Sequence, residues 1–305
     1  MNQVTKQEIY LPNRLTRLEI NELMSKVINR DKEPISEEIV FNFTNLSFIE
    51  PAGVTSLGNL FEWLRKKNVK TTIIWPKEIG KTKWCPIKYL DDSKFFLKYL
   101  GRKLNDESSV RETTIPLQNV TYSRSYQWLE ATFITWLAGQ LGVKIATLGN
   151  IKTCLGEVFN NIRDHSSENI GLIYAQHFPA RNKIVISIAD FGVGIPTNIR
   201  KKSPALQDAE ALVLAIEDGY STYTSPRNLG AGLHTLIKNV VEDSNGTVHI
   251  HSGYGILNTE FVHNDIQVSS STSNGFYPGT FLEICIDTSK IMEEDKYEIE
   301  EEFEW

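Results

Sequence analysis

The sequence predicts an α/β protein built as two successive α/β domains, and three observations carry that reading. The chain has 305 residues, which suits about two domains of ordinary size. Residues 36–76 follow a strand, helix, strand pattern. In the second half, helical apolar stripes and a β-branched strand alternate with paired glycines. Composition agrees: 41% hydrophobic and 23% charged residues describe a globular chain able to bury a core.

The first elements are a strand at Glu38 to Phe43, a helix from about Gly53 to Lys67 and a strand at Val69 to Trp75. Two strands joined by a helical crossover pair in parallel. Pro51 suits the first helical turn, Glu50 before it favours the positive helix end, and Val54, Leu57, Leu60, Phe61 and Leu64 form an apolar stripe. This segment resembles a STAS domain, the fold of anti-sigma factor antagonists. Such domains typically carry a phosphorylatable serine in a D-S-S-G or D-S-T-G turn. Here the turn is Glu50-Pro51-Ala52-Gly53, with no hydroxyl, so phosphorylation at that turn is excluded.

Phe95, Phe96, Tyr99 and Leu100 suggest a further helix packing on this domain. Lys77 to Lys103 carries eight basic and three acidic residues; with no nucleic-acid motif it reads as a solvated connecting face. The polar stretch Asn105 to Glu112 reads as linker. The expected organisation is a first domain over 1–104, a linker over 105–116, a second domain over 117–290 and an acidic tail over 291–305.

The second domain opens with a helix over Arg124 to Leu141, carrying Trp128, Leu129, Phe133, Trp136, Leu137 and Leu141 at helical spacing. Next, Leu148, Ile151, Leu155, Val158, Phe159 and Ile162 recur at steps of three and four, the stripe of an amphipathic helix. Glu157, Asn161 and His165 stack along one flank of that helix, four residues apart. A carboxylate one turn before an amide suits a site where one group activates water and the other holds a hard metal. Ile184 to Ala189 reads as a buried strand and delivers Asp190-Phe191-Gly192-Val193-Gly194. A helix is expected over Asp208 to Glu217. Gly230-Ala231-Gly232-Leu233 opens another helical segment, Leu233 to Val241, and a final strand carries Gly279-Thr280.

These four motifs, E-x-x-x-N, D-x-G-x-G, G-x-G-L and G-T in that order, resemble the GHKL ATPase family over roughly Leu117 to Asp287. The resemblance implies a Bergerat-type α/β sandwich that binds ATP and Mg2+. It implies that Asp190 accepts a hydrogen bond from the adenine amino group, with Gly192 and Gly194 letting the backbone approach the base and Thr280 bonding nearby. Gly230, Gly232 and Leu233 would bring backbone N–H groups to the phosphates, beneath a lid over Ser203 to Asn228. Asn161 would hold the metal, with Asn160 as second choice, and Glu157 would be the general base. His165 would contact phosphate or only the helix end; Arg227 and Lys238 are further cations within this region.

Composition narrows the classes. No apolar run approaches the roughly 18 residues of a membrane span, and the first residues lack the apolar core of a signal peptide, so a cytoplasmic protein with no membrane partner is expected. Cys85, Cys154 and Cys285 form no C-x-x-C pair, which indicates neither a disulfide framework nor a zinc site. The net charge of -6 is concentrated in Glu293 to Trp305, which carries eight acids and one lysine. All six histidines lie between His165 and His263, so no upstream helix offers a phospho-accepting histidine. The expectation is a magnesium-dependent regulatory ATPase acting on an unidentified protein partner, with a homodimer as one arrangement and nucleic acid not expected. The alternative is a serine/threonine kinase of the anti-sigma-factor type; a non-catalytic nucleotide-gated module would have no need of Glu157.

Overall fold

The computed structural model describes residues 6–79, 85–165, 170–190, 192–220 and 232–291. Its described residues are mixed α/β, with a three-stranded parallel sheet, a larger antiparallel sheet and a two-stranded parallel pair. The parallel sheet orders β1 (Lys6–Tyr10), β3 (Glu38–Asn42) and β5 (Lys70–Ile74) side by side. Between β1 and β3 run the short β2 (Arg14–Leu15) and the helix α1 (Ile20–Val27); between β3 and β5 run the short β4 (Phe48–Ile49) and the helix α2 (Pro51–Lys66). Both helices are the crossovers that parallel pairing demands. Ile9, Ile39, Phe41 and Ile73 alternate onto the buried side of this sheet, where Phe41 meets Phe61 of α2 at 4.8 Å between ring centroids. Helices α3 (Pro86–Asp92) and α4 (Phe95–Leu100) extend this core, with Phe95 and Phe96 against Phe43 and Phe61.

The antiparallel sheet contains β6 (Thr114–Thr121), β7 (Ile170–Phe178), β8 (Lys183–Asp190), β9 (Thr247–Val262) and β10 (Asp265–Asp287), in the order β6-β7-β8-β10-β9. Two different layers cover its faces. On one lie α5 (Tyr122–Trp128), α6 (Thr135–Leu141), α7 (Gly149–His165) and α10 (Gly232–Ile237), whose Leu137, Leu155, Val158, Phe159 and Leu236 pack with Ile173, Ile186, Ile188, Ile250 and Ile284. On the other lie α1 and α2, so that Leu117, Leu172, Tyr174, Ala189, Tyr277 and Phe281 join the core of the parallel sheet. The layers run parallel sheet, helices, antiparallel sheet, helices.

This stacking changes the reading of α2. Its sequence shows one apolar stripe, yet every residue from Pro51 to Leu64 is buried. The polar flank meets the antiparallel sheet: the Thr55 hydroxyl donates to the Ser187 carbonyl (3.5 Å) and the Asn59 amide to that of Pro278 (3.2 Å). Gly58 lets the two layers close up, since a Cβ there would stand 3.2 Å from Leu117, Leu172 and Tyr99 at once.

Two helices depart from simple α geometry. Between α5 and α6 the chain is π-helical over Leu129–Ile134, and α10 runs on into a π-helical segment at Lys238–Asp243. The expected helices over 124–141 and 233–241 are therefore present but wound wider in part. The stretch 255–275, which its polar sequence makes read as a long loop, is strand on both sides of a turn at His263 and Asn264. Together β9 and β10 form a long ribbon that folds back on itself: Thr259 Oγ1 accepts the Val248 N–H at 3.2 Å, across 11 residues, a separation that would be about 36 Å in a straight strand. The fold lies at Gly253 (φ +61°), where Asp208 of α9 (Asp208–Ala215) accepts the Tyr254 N–H at 2.6 Å and pairs with Arg200, just after the short α8 (Ile195–Ile199).

Candidate functional site

Strand register assembles the site. Phe281 pairs with Ala189, Thr280 with Ser252, and Gly171 with Asp190, so residues from four strands form one row at an end of the antiparallel sheet. Alternation along the strands decides their direction. Ile184, Ile186 and Ile188 face the layer of α7 and α10, as do Leu282 and Ile284 on β10 and Val248 and Ile250 on β9. Asp190, Thr280 and Ser252 continue those three series and face the same layer.

Asp190 is buried, at 8% exposure. Its Oδ1 accepts the Gly192 N–H at 2.6 Å, and Thr280 stands beside it, its main-chain N–H and hydroxyl favouring the ionised form. Burial nevertheless pushes its pKa up to about 6; the N–H donors, Thr280 and the charge of Lys66 oppose that rise. The residues around it have no room for side chains. Gly279 has φ +87°, and a Cβ there would fall 2.3 Å from the Asp190 carbonyl oxygen and 2.8 Å from Oδ1. Gly194 has φ +83°, and its Cβ would fall 2.8 Å from Ser252 Oγ.

Ser252 was invisible as a site residue in the sequence. Fully buried, its hydroxyl accepts the Ile195 N–H (3.0 Å), donates to the Gly279 carbonyl (2.8 Å) and touches Thr280 Oγ1 (3.0 Å). It thereby ties the D-x-G-x-G turn to the G-T segment. The signal that marks it is a serine following the alternating apolar positions Val248 and Ile250, directly before a glycine.

The remaining expected residues fall as follows. Glu157 is half-buried on α7, the helix expected to carry it. Asn161 and His165 lie on the same helix, but their side chains are outside the described residues. Asn160 accepts a hydrogen bond from the Tyr126 hydroxyl at 3.3 Å. Gly232 begins α10 and half-buried Leu233 packs on the helical core, while Gly230 and Arg227 lie outside the described residues. Lys238 is exposed. The π-helical segment that continues α10 is tied to α7 by the Asn239 amide, which donates to Cys154 Sγ at 3.1 Å. Of the stretch expected as a lid, Ser203 to Tyr220 is described; α9 buries Ala211 and Leu212, and His234 of α10 stands 3.2 Å from the Ile216 carbonyl.

Among the described residues, no group of three or more His, Cys, Asp or Glu side chains is placed to hold a metal, and no single helix is long and apolar enough to cross a membrane. No family model and no curated protein matches the chain.

Proposed function

We propose that the protein is an ATP-binding, magnesium-dependent regulatory ATPase of the GHKL type, in which nucleotide binding and hydrolysis act as a conformational switch. The observation that supports this reading is Asp190: a buried carboxylate bordered by glycines, with Thr280 beside it and helix-bearing layers in front. A carboxylate is an acceptor, so it fits an amino-bearing purine. Guanine would turn a carbonyl oxygen toward it, and an acceptor left facing an acceptor in a buried site costs more than a missing contact. ATP is therefore preferred over GTP.

In this reading Glu157 positions or deprotonates the attacking water, a role worth about 10² to 10⁴ in rate, while Gly230, Gly232 and Leu233 border the phosphates. Magnesium would be held by Asn161, the phosphates and water, in keeping with that ion's preference for few protein ligands; it would neutralise phosphate charge. The first module adds a STAS-like fold, a relation suggested by its βαβ order and the turn at Glu50. That neighbour supports the alternative, a serine/threonine kinase, because such modules and anti-sigma kinases work on one another.

One experiment separates the two. Wild type and Glu157→Ala are given γ-labelled ATP with magnesium, and free phosphate is measured alongside protein-bound label. Free phosphate that is lost in the variant, with ATP binding retained, is expected. Label transferred to protein moves the kinase to first place, and turnover unchanged in the variant dismisses Glu157 as the base.

A further inference from the structure

We propose that Asn59 of α2 is a positioning residue of the nucleotide site, holding the main chain at Pro278 and thereby the Gly279–Thr280 segment that braces Asp190. The inference rests on the adenine reading above and adds to it a residue from the first module.

The segment in question lacks the ladder bonds that usually fix a strand. Regular pairing of β10 with β8 begins only at Phe281, and pairing with β9 is irregular between Tyr277 and Thr280. Pro278 has no N–H to offer a neighbouring strand, and Gly279 adopts a left-handed conformation, φ +87°. Side chains therefore hold what the ladder does not. Ser252 takes the Gly279 carbonyl from the α7 face of the sheet. Asn59 takes the Pro278 carbonyl from the α2 face, with Nδ2 at 3.2 Å.

Asn59 is completely buried on a helix whose other buried positions are mostly apolar; its Oδ1 has no hydrogen-bond partner among the described residues, so the bond from Nδ2 to the Pro278 carbonyl is what offsets the cost of burying the amide. Tyr277, one residue before Pro278, is also fully buried, with its hydroxyl beside Ser56 and Asn59. Two residues beyond Pro278 stands Thr280, whose N–H and hydroxyl favour the ionised Asp190, and between them Gly279 lies so close that a Cβ on it would fall 2.8 Å from Asp190 Oδ1. A shift of the chain at Pro278 moves both of those donors. The first module would thus form the back wall of the nucleotide site.

The test uses the full chain with Asn59→Ala and Asn59→Leu, the second keeping most of the volume while removing the donor. ATP affinity is measured by calorimetry, and amide exchange is followed at Thr280 and at Ile284 on the same strand. Loss of one neutral hydrogen bond predicts ATP binding about 3- to 10-fold weaker, with exchange accelerated at Thr280 and unchanged at Ile284. In a Thr280→Ala background Asn59→Leu should have little further effect on ATP binding, since both act through one segment. ATP affinity and Thr280 exchange unchanged in a folded Asn59→Leu protein would overturn the proposal. So would equal acceleration at Thr280 and Ile284, which marks a general packing role. An unmutated chain that binds no ATP would instead overturn the adenine reading, and this one with it.

Discussion

Keeping a carboxylate at the end of β8 costs the fold stability. The folded pKa of Asp190, about 6, lies above the ordinary 3.8, so between these values the folded chain keeps a proton that the unfolded chain has lost. The stabilisation is complete below about pH 4 and disappears as pH rises through 6. At neutral pH the ionised group therefore weakens the fold by about 2–3 kcal/mol. Asp190→Asn, which cannot ionise, should resemble wild type in thermal unfolding at pH 4, exceed it above pH 7, and bind ATP more weakly because an amide is a poorer acceptor. A variant equally destabilised at both pH values would refute this account. His249 and His251 act in the opposite sense: burial lowers them to about 4 and about 3, so their contribution is present above pH 6.5 and is lost as pH falls through 4. Asp190 was legible in sequence because a polar residue ending an apolar strand before paired glycines is anomalous. Ser252 was not, since a buried serine looks like any other until its partners from two distant segments, Ile195 and Gly279–Thr280, converge.

At the scale of elements, periodicity located β3, α2, β5, α4, α7, α9 and α10 to within a few residues, but it missed β1 and α1 before Glu38 and the short α3 and α8, and it failed where chain direction changed inside an element. The β9–β10 ribbon is the main case. Its polar outer half, with Ser269 to Ser273, lacks apolar alternation because much of it is exposed, and the reversal at Gly253 depends on Asp208, 45 residues earlier in the chain. Asp208→Ala should strand the Tyr254 N–H and free Arg200, lowering stability by about 1–3 kcal/mol and speeding amide exchange at Tyr254. No change at Tyr254 would mean that the ribbon folds without this anchor. The π-helical segments were equally hidden, since a wider turn keeps the same apolar residues facing the core.

Across the whole molecule, α2 faces two sheets at once, within one core. It is the crossover of the parallel sheet and also the cover of the antiparallel one. Gly58→Val would press against Leu117, Leu172 and Tyr99 from a Cβ already 3.2 Å from each, an overpacking worth about 1–3 kcal/mol. Because the strain falls between the layers, it should lower the unfolding temperature of both sheets together. Calorimetry that shows one half melting earlier while the other keeps its temperature would contradict a shared core.

The amino-acid sequence by itself determined the α/β class, the βαβ order of the first module, the helix carrying Glu157 and the strand ending at Asp190, since each follows from periodicity or from a residue out of place in its local pattern. Only the tertiary structure decided that α2 is buried on every side, that 255–275 is a folded ribbon, and that Ser252 and Asn59 grip the two sides of the Gly279–Thr280 segment. Those facts depend on strand register and layer stacking. Layer stacking brings Asn59 to Pro278, 219 positions away, and no local pattern encodes such a meeting.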